Sequence, residues 1–88
     1  MKYYVTMTDR FMSCWGSAKN KINKLVFICD NYKDAEIVYN NSNDRTEMKY
    51  INICYNFPYH LNNDKYLTQV KTKKDMKYFY IKDSFKRS

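Results

Sequence analysis

Lys24-Leu25-Val26-Phe27-Ile28-Cys29-Asp30-Asn31-Tyr32-Lys33-Asp34-Ala35 contains the junction that decides the fold. Its first half is a short, continuous apolar run, as expected of a central strand covered on both faces. Asp30-Asn31 then offers a helix N-cap. With Asn31 as the cap, Asp34 falls at N3, where an acidic side chain complements the helix dipole. Tyr32 to about Asp44 reads as a helix, with Ala35, Val38 and Ser42 on one stripe and Ile37 beside it. Asn40-Asn41-Ser42-Asn43-Asp44 makes a poor helix interior, so the last turn is expected to fray.

On the N-terminal side, Lys2-Tyr3-Tyr4-Val5-Thr6-Met7-Thr8 alternates, with Tyr3, Val5 and Met7 on one face, and reads as a strand. It is expected to pair with the Lys24–Cys29 strand as a hairpin with a long loop between them. That loop, residues 9–20, holds the only tryptophan and the only glycine side by side, Trp15-Gly16, where average usage would give about six glycines in this length. Phe11, Met12 and Trp15 either fold back over the sheet as a lid or leave Trp15 exposed as an interface anchor.

On the C-terminal side, Met48-Lys49-Tyr50-Ile51-Asn52-Ile53-Cys54-Tyr55 alternates and reads as a third strand. The strand–helix–strand order resembles a crossover, in which strands two and three run parallel through a right-handed connection. A loop around Pro58 follows. Tyr66 to Lys71 reads as a fourth strand, flanked by lysine as an edge strand should be. Thr72-Lys73-Lys74-Asp75 has the spacing of a weak capping box, and Met76 to Ile81 reads as either a short helix or a strand, with the helix favoured. The expectation is one α+β domain over residues 1–88: a sheet of about four strands in a ββαβ core, one main helix, and a short C-terminal helix. An exposed edge at Tyr66 to Lys71 makes either a monomer or a homodimer reasonable.

The charge is uneven. Residues 1–44 carry six Lys/Arg against five Asp/Glu, whereas residues 45–88 carry ten against four, so nearly all of the net +7 belongs to the second half. Such asymmetry points to an acidic partner, either nucleic acid or an acidic protein face. No apolar run approaches the roughly 20 residues of a membrane span. The odd cysteine number (Cys14, Cys29, Cys54) and the lack of a signal-like apolar stretch point to a reduced, cytoplasmic protein.

Motifs for chemistry are scarce. The single histidine, His60, has no carboxylate or nucleophile partner in sequence. A pairing with one of the cysteines competes with the plainer reading of a loop histidine and inert strand cysteines. The three cysteines and His60 stand 15, 25 and 6 residues apart and contain no C-x-x-C knuckle, so no metal site is expected. One glycine cannot build a phosphate-binding or dinucleotide loop, so no cofactor is expected either. The protein is read as a non-enzyme.

Lys71-Thr72-Lys73-Lys74-Asp75-Met76-Lys77-Tyr78-Phe79-Tyr80 interleaves lysine with aromatics. That composition suits either a binding surface, where lysine meets phosphate or carboxylate and aromatics stack, or solvated lysines around a tyrosine-rich core edge. Lys71, Lys73, Lys74, Lys77, Tyr78 and Tyr80 are the candidate partner-binding residues, with Trp15 as a further anchor.

Val5-Thr6-Met7-Thr8-Asp9-Arg10-Phe11-Met12-Ser13-Cys14-Trp15-Gly16, Asn23-Lys24-Leu25-Val26, Asp34-Ala35-Glu36-Ile37-Val38 and Met48-Lys49-Tyr50-Ile51-Asn52-Ile53 resemble a family of small proteins from phages, plasmids and conjugative elements of low-GC bacteria. The abundance of asparagine and lysine suits an AT-rich coding sequence of that origin. Cys14 stands where the family pattern has glycine, so any tight turn there is made differently. The resemblance covers roughly the first two thirds of the chain and brings no catalytic residues. Its setting implies an accessory or counter-defence role, similar in character to anti-CRISPR proteins. The expected partner is then a host CRISPR effector protein or ribonucleoprotein, with RNA or single-stranded nucleic acid as the alternative.

Overall fold

A computed structural model describes residues 2–10, 21–61 and 64–82. Its elements are β1 (Tyr3–Asp9), β2 (Ile22–Cys29), α1 (Tyr32–Asn43), β3 (Met48–Cys54), a 3-10 turn at Tyr59–Leu61, β4 (Tyr66–Lys71) and a 3-10 turn at Lys77–Tyr80. The α+β class, the four strands and the single main helix are those read from the sequence. Of the expected aromatic loop, only Asp9 and Arg10 lie within the described residues.

The strands are ordered β3-β1-β2-β4. β1 and β2 pair antiparallel, with Val5 opposite Phe27 and Met7 opposite Leu25. β3 pairs antiparallel with β1, and β4 pairs parallel with β2. Strands β2 and β3 therefore point the same way, but they are not paired as a crossover would pair them, because β1 lies between them. A strand has only two edges. The hairpin occupies one edge of β2 and β4 the other, which leaves β3 the free edge of β1.

The core forms between the sheet and α1. Val5, Met7, Leu25, Phe27 and Cys29 face Ala35 and Val38, and Phe79 and Tyr80 close one side. Full burial of each large apolar side chain contributes about 1.5–3 kcal/mol. Asn31 caps α1 as expected, its Oδ1 accepting from the Asp34 N–H at 2.8 Å. The last turn does not fray. Asn41 and Ser42 are both buried, and the Asn41 amide donates to the carbonyls of Phe79 at 2.9 Å and Ile81 at 2.7 Å. These long-range bonds supply what local propensity lacks, and they tie α1 to the C-terminal segment.

Two details of the chain path matter for the surfaces. Thr6 pairs with Asn52 and Thr8 with Lys49, so Tyr50 and Ile51 together oppose Met7 in a β-bulge. Tyr50 adopts φ 57°, a left-handed conformation that is uncommon for a bulky residue and costs about 1–3 kcal/mol. Asn52 steadies the bulge by donating to the Tyr50 carbonyl at 3.2 Å. The connection from β3 to β4 crosses the sheet face opposite α1. There Phe57 packs edge-on against Tyr4, and the Leu61 carbonyl accepts from Thr68 Oγ1 at 3.0 Å. This connection helps cover Val26, which is buried even though it points away from α1. No helix among the described residues is long and apolar enough to cross a membrane.

Candidate functional site

The C-terminal segment builds the rim of an open cleft. After β4, the Asp75 carboxylate turns back to accept from the Thr72 N–H at 3.2 Å and the Thr72 hydroxyl at 3.0 Å. The residues of the expected capping box thus close a turn, and the 3-10 turn begins only at Lys77, with no side-chain cap. This turn swings Lys74 and Lys77 round to the side already occupied by Lys71. Between the turn, the ends of β2 and β4, and the segment after α1 lies a cavity of about 620 Å³. Leu25, Met48, Met76 and Phe79 give it an apolar floor.

Charge on the cleft wall is partly satisfied from within. Arg45 and Glu47 form an ion pair, and the Arg45 guanidinium stands 5.8 Å from the ring centre of Phe79. The Glu47 carbonyl accepts from the Arg10 N–H at 2.8 Å, which anchors the end of β1. Asp75 is engaged by Thr72. Lys71, Lys74 and Lys77 make no ion pair among the described residues. The Lys77 ammonium stands 5.6 Å from the ring centre of Tyr78, whose side chain is 60% exposed. The lining sets Arg45, Lys71, Lys74 and Lys77 against Asp9, Glu47 and Asp75, and a cleft with an apolar floor and this small excess of positive charge suits an acidic segment that also presents apolar side chains.

The structure separates the candidate contact residues into three groups. Lys71, Lys74, Lys77 and Tyr78 line the cleft together. Lys73 is exposed beside it without lining it. Tyr80 belongs to the core and not to the contact surface: only 6% of it is exposed, and its hydroxyl donates to the Ile28 carbonyl at 2.7 Å. Burial, reinforced by the negative potential of Asp30 and Asp34, pushes the Tyr80 phenol far above its usual range, so it remains a neutral donor. Trp15 lies outside the described residues.

The remaining chemistry-bearing residues stand apart. Cys29 is buried, and its thiol is pushed up to about 12, first by burial and then by the nearby Asp34 and Asp30. A thiol held protonated is a poor nucleophile. Cys54 is half-buried at the end of β3, and His60 is exposed in the Tyr59–Leu61 turn. Among the described residues, no three His, Cys, Asp or Glu side chains are grouped to hold a metal ion.

Sequence reasoning missed Asn41, whose asparagine-rich surroundings pointed to fraying. It also missed Lys24, for which a signal existed: a lysine opening an otherwise apolar central strand. Its ammonium is partly buried, and that burial lowers its pKa from the ordinary lysine value. Comparison with protein families, curated proteins and solved structures finds no match to this chain.

Proposed function

We propose that the protein is a non-enzymatic inhibitor from a phage or mobile element that binds and occludes a host defence complex in the cytoplasm, in the manner of an anti-CRISPR protein. The observation that supports this reading is the gathering of Lys71, Lys74, Lys77 and Tyr78 on one wall of an apolar-floored cleft. Such a wall complements an acidic protein face. Steric cover of that face blocks target entry or activation without any chemistry, which fits a chain whose motifs point to binding. The choice of partner class rests on the sequence motifs over roughly the first two thirds of the chain that read as resembling mobile-element proteins.

The test is retention of a CRISPR effector from host lysate by the tagged protein, with and without nuclease treatment. Retention of the effector after nuclease, lost when Lys74 and Lys77 are both changed to glutamate, is the expected result. Equal retention by that double variant removes the cleft from the reading. A second reading is a small basic RNA- or single-strand-binding accessory protein. It is favoured by lysine ammoniums set against tyrosine rings, at Lys77 and Tyr78 and again at Lys24 and Tyr50.

A further inference from the structure

The sheet face opposite α1 holds a group of side chains that the cleft does not use. Lys24 lies in β2, and its ammonium stands 5.7 Å from the ring centre of Tyr50 and 5.7 Å from that of Tyr66. The two rings come from β3 and β4, the outer strands of the sheet. They are therefore no more than 11.4 Å apart (twice 5.7 Å), with a cation between them. Lys24 donates to Thr8 Oγ1 at 2.6 Å, which uses one of its three N–H donors and positions the ammonium above β1. The Lys65 ammonium lies 6.0 Å from the Tyr66 ring, and Lys49 is exposed next to Tyr50.

Tyr50 makes this arrangement more than a coincidence of composition. Its backbone is held at φ 57°, yet its side chain is 76% exposed. Packing in a core would account for a strained residue, but Tyr50 has no such burial. Strain of this kind concentrates at binding sites. From this bulged position its ring stands beside the Lys24 ammonium.

We propose that Tyr50, Lys24 and Tyr66 form a platform for single-stranded nucleic acid, each ring stacking on one base and the Lys24 ammonium meeting the phosphate between them. Aromatic faces on either side of a cation match the alternation of base and phosphate along an unpaired strand. An acidic protein segment offers the charge but not the two planar faces. The inference rests on the nucleic-acid reading for its ligand class and on none of the cleft residues, so the two surfaces are separable.

The test is fluorescence anisotropy of the full chain with fluorescein-labelled dT12 and U12, titrated over a range of salt concentrations. Binding that weakens with salt is expected. Tyr50→Ala and Tyr66→Ala should each weaken it about tenfold, whereas Tyr50→Phe keeps the ring and the affinity. Lys24→Met should lower the slope of log affinity against log salt by about 0.7, the value for one phosphate contact on a single strand. Tyr50→Gly removes the ring while suiting the backbone, so lost binding with a thermal melt that is not lowered separates stacking from folding. Three results overturn the platform: no binding of either oligonucleotide, unchanged affinity in Tyr50→Gly, or equal affinity for a 12-base-pair duplex. If binding survives the Tyr50 and Tyr66 changes but is lost in Lys74→Ala/Lys77→Ala, the nucleic-acid reading stands and its site is the cleft.

Discussion

The two faces of this sheet are made from the same strands, yet they are used in opposite ways. Toward α1, Val5, Met7, Leu25 and Phe27 are buried and interdigitate with Ala35, Val38 and Phe79. Toward the other side, Thr6, Lys24 and Ile28 are half-buried, Val70 is 42% exposed, and Tyr50 stands almost free. Alternation along each strand sends neighbouring residues to opposite faces, so the two faces vary independently. One face holds the fold together. The other buries Val26 and Thr8 under Lys24 and the β3–β4 connection but also presents lysine and tyrosine, with some strain at Tyr50.

The sharpest way to break this comparison is to change one apolar side chain on each face. Phe27→Ala empties the centre of the packed face and should destabilise by about 3–5 kcal/mol in urea unfolding. Val70→Thr, on the exposed face, should stay within about 0.5 kcal/mol. Comparable losses at the two sites would mean that both faces are cores.

Asn41 tests how far the packed face depends on one polar side chain. Asn41→Ala leaves the Phe79 and Ile81 carbonyls without their donor and should cost about 1–3 kcal/mol. Hydrogen exchange should then rise first in residues 77–81, since the tether to α1 is gone. A uniform rise across the sheet would show instead that Asn41 supports the whole domain.

Alkaline pH discriminates between the faces by protonation. The Cys29 thiol is held at about 12 in the fold against an ordinary value of 9.0. Between these values the unfolded chain loses the proton while the folded chain keeps it. The contribution is thus fully present below about pH 9 and is lost as pH rises toward 12, at no more than about 1.4 kcal/mol per pH unit. Denaturation midpoints measured from pH 8 to 11 should fall, and Cys29→Ala should flatten the decline. Tyr80, raised in the same direction, adds to the slope.

A smaller effect is expected at the bulge. Tyr50→Val puts a β-branched residue at φ 57° and should lower stability by about 1 kcal/mol in a thermal melt. A neutral result would mean that the bulge slides to a new register, which cross-strand contacts between β1 and β3 would reveal by NMR.

Much of this architecture was legible along the chain. Alternation in Tyr3–Thr8 and Met48–Cys54 gave the correct strands, and in the first of them the face shared by Val5 and Met7 is the buried one; in β3 the bulge breaks the alternation and brings Met48 to the core side with Ile51 and Ile53. Asn31 and Asp34 announced the start of α1 because a cap is a contact between residues three apart. Lys71, Lys74, Lys77 and Tyr78 could be picked out together because the interleaving of lysine with aromatics is a property of one short stretch, although the turn at Thr72 and Asp75 that brings them to one cleft was read as a helix cap. Tyr80 was assigned to the wrong side because a four-residue segment has too little periodicity to show which ring turns inward. The Tyr50 bulge left no mark, since glycine, the usual flag for a left-handed residue, is absent there.

What the sequence alone determined is therefore the set of elements, their caps and the concentration of positive charge in the second half, all properties of residues within a few positions of one another. Tertiary structure decided the rest. The insertion of β1 between β2 and β3 depends on which strand edges remain free once the hairpin has formed. The burial of Asn41 depends on carbonyls 38 and 40 residues away. The pairing of Lys24 with Tyr50 and Tyr66 depends on strands that meet only in the sheet. Each is a contact between distant parts of the chain, and local propensity cannot encode the geometry of a partner that only folding brings near.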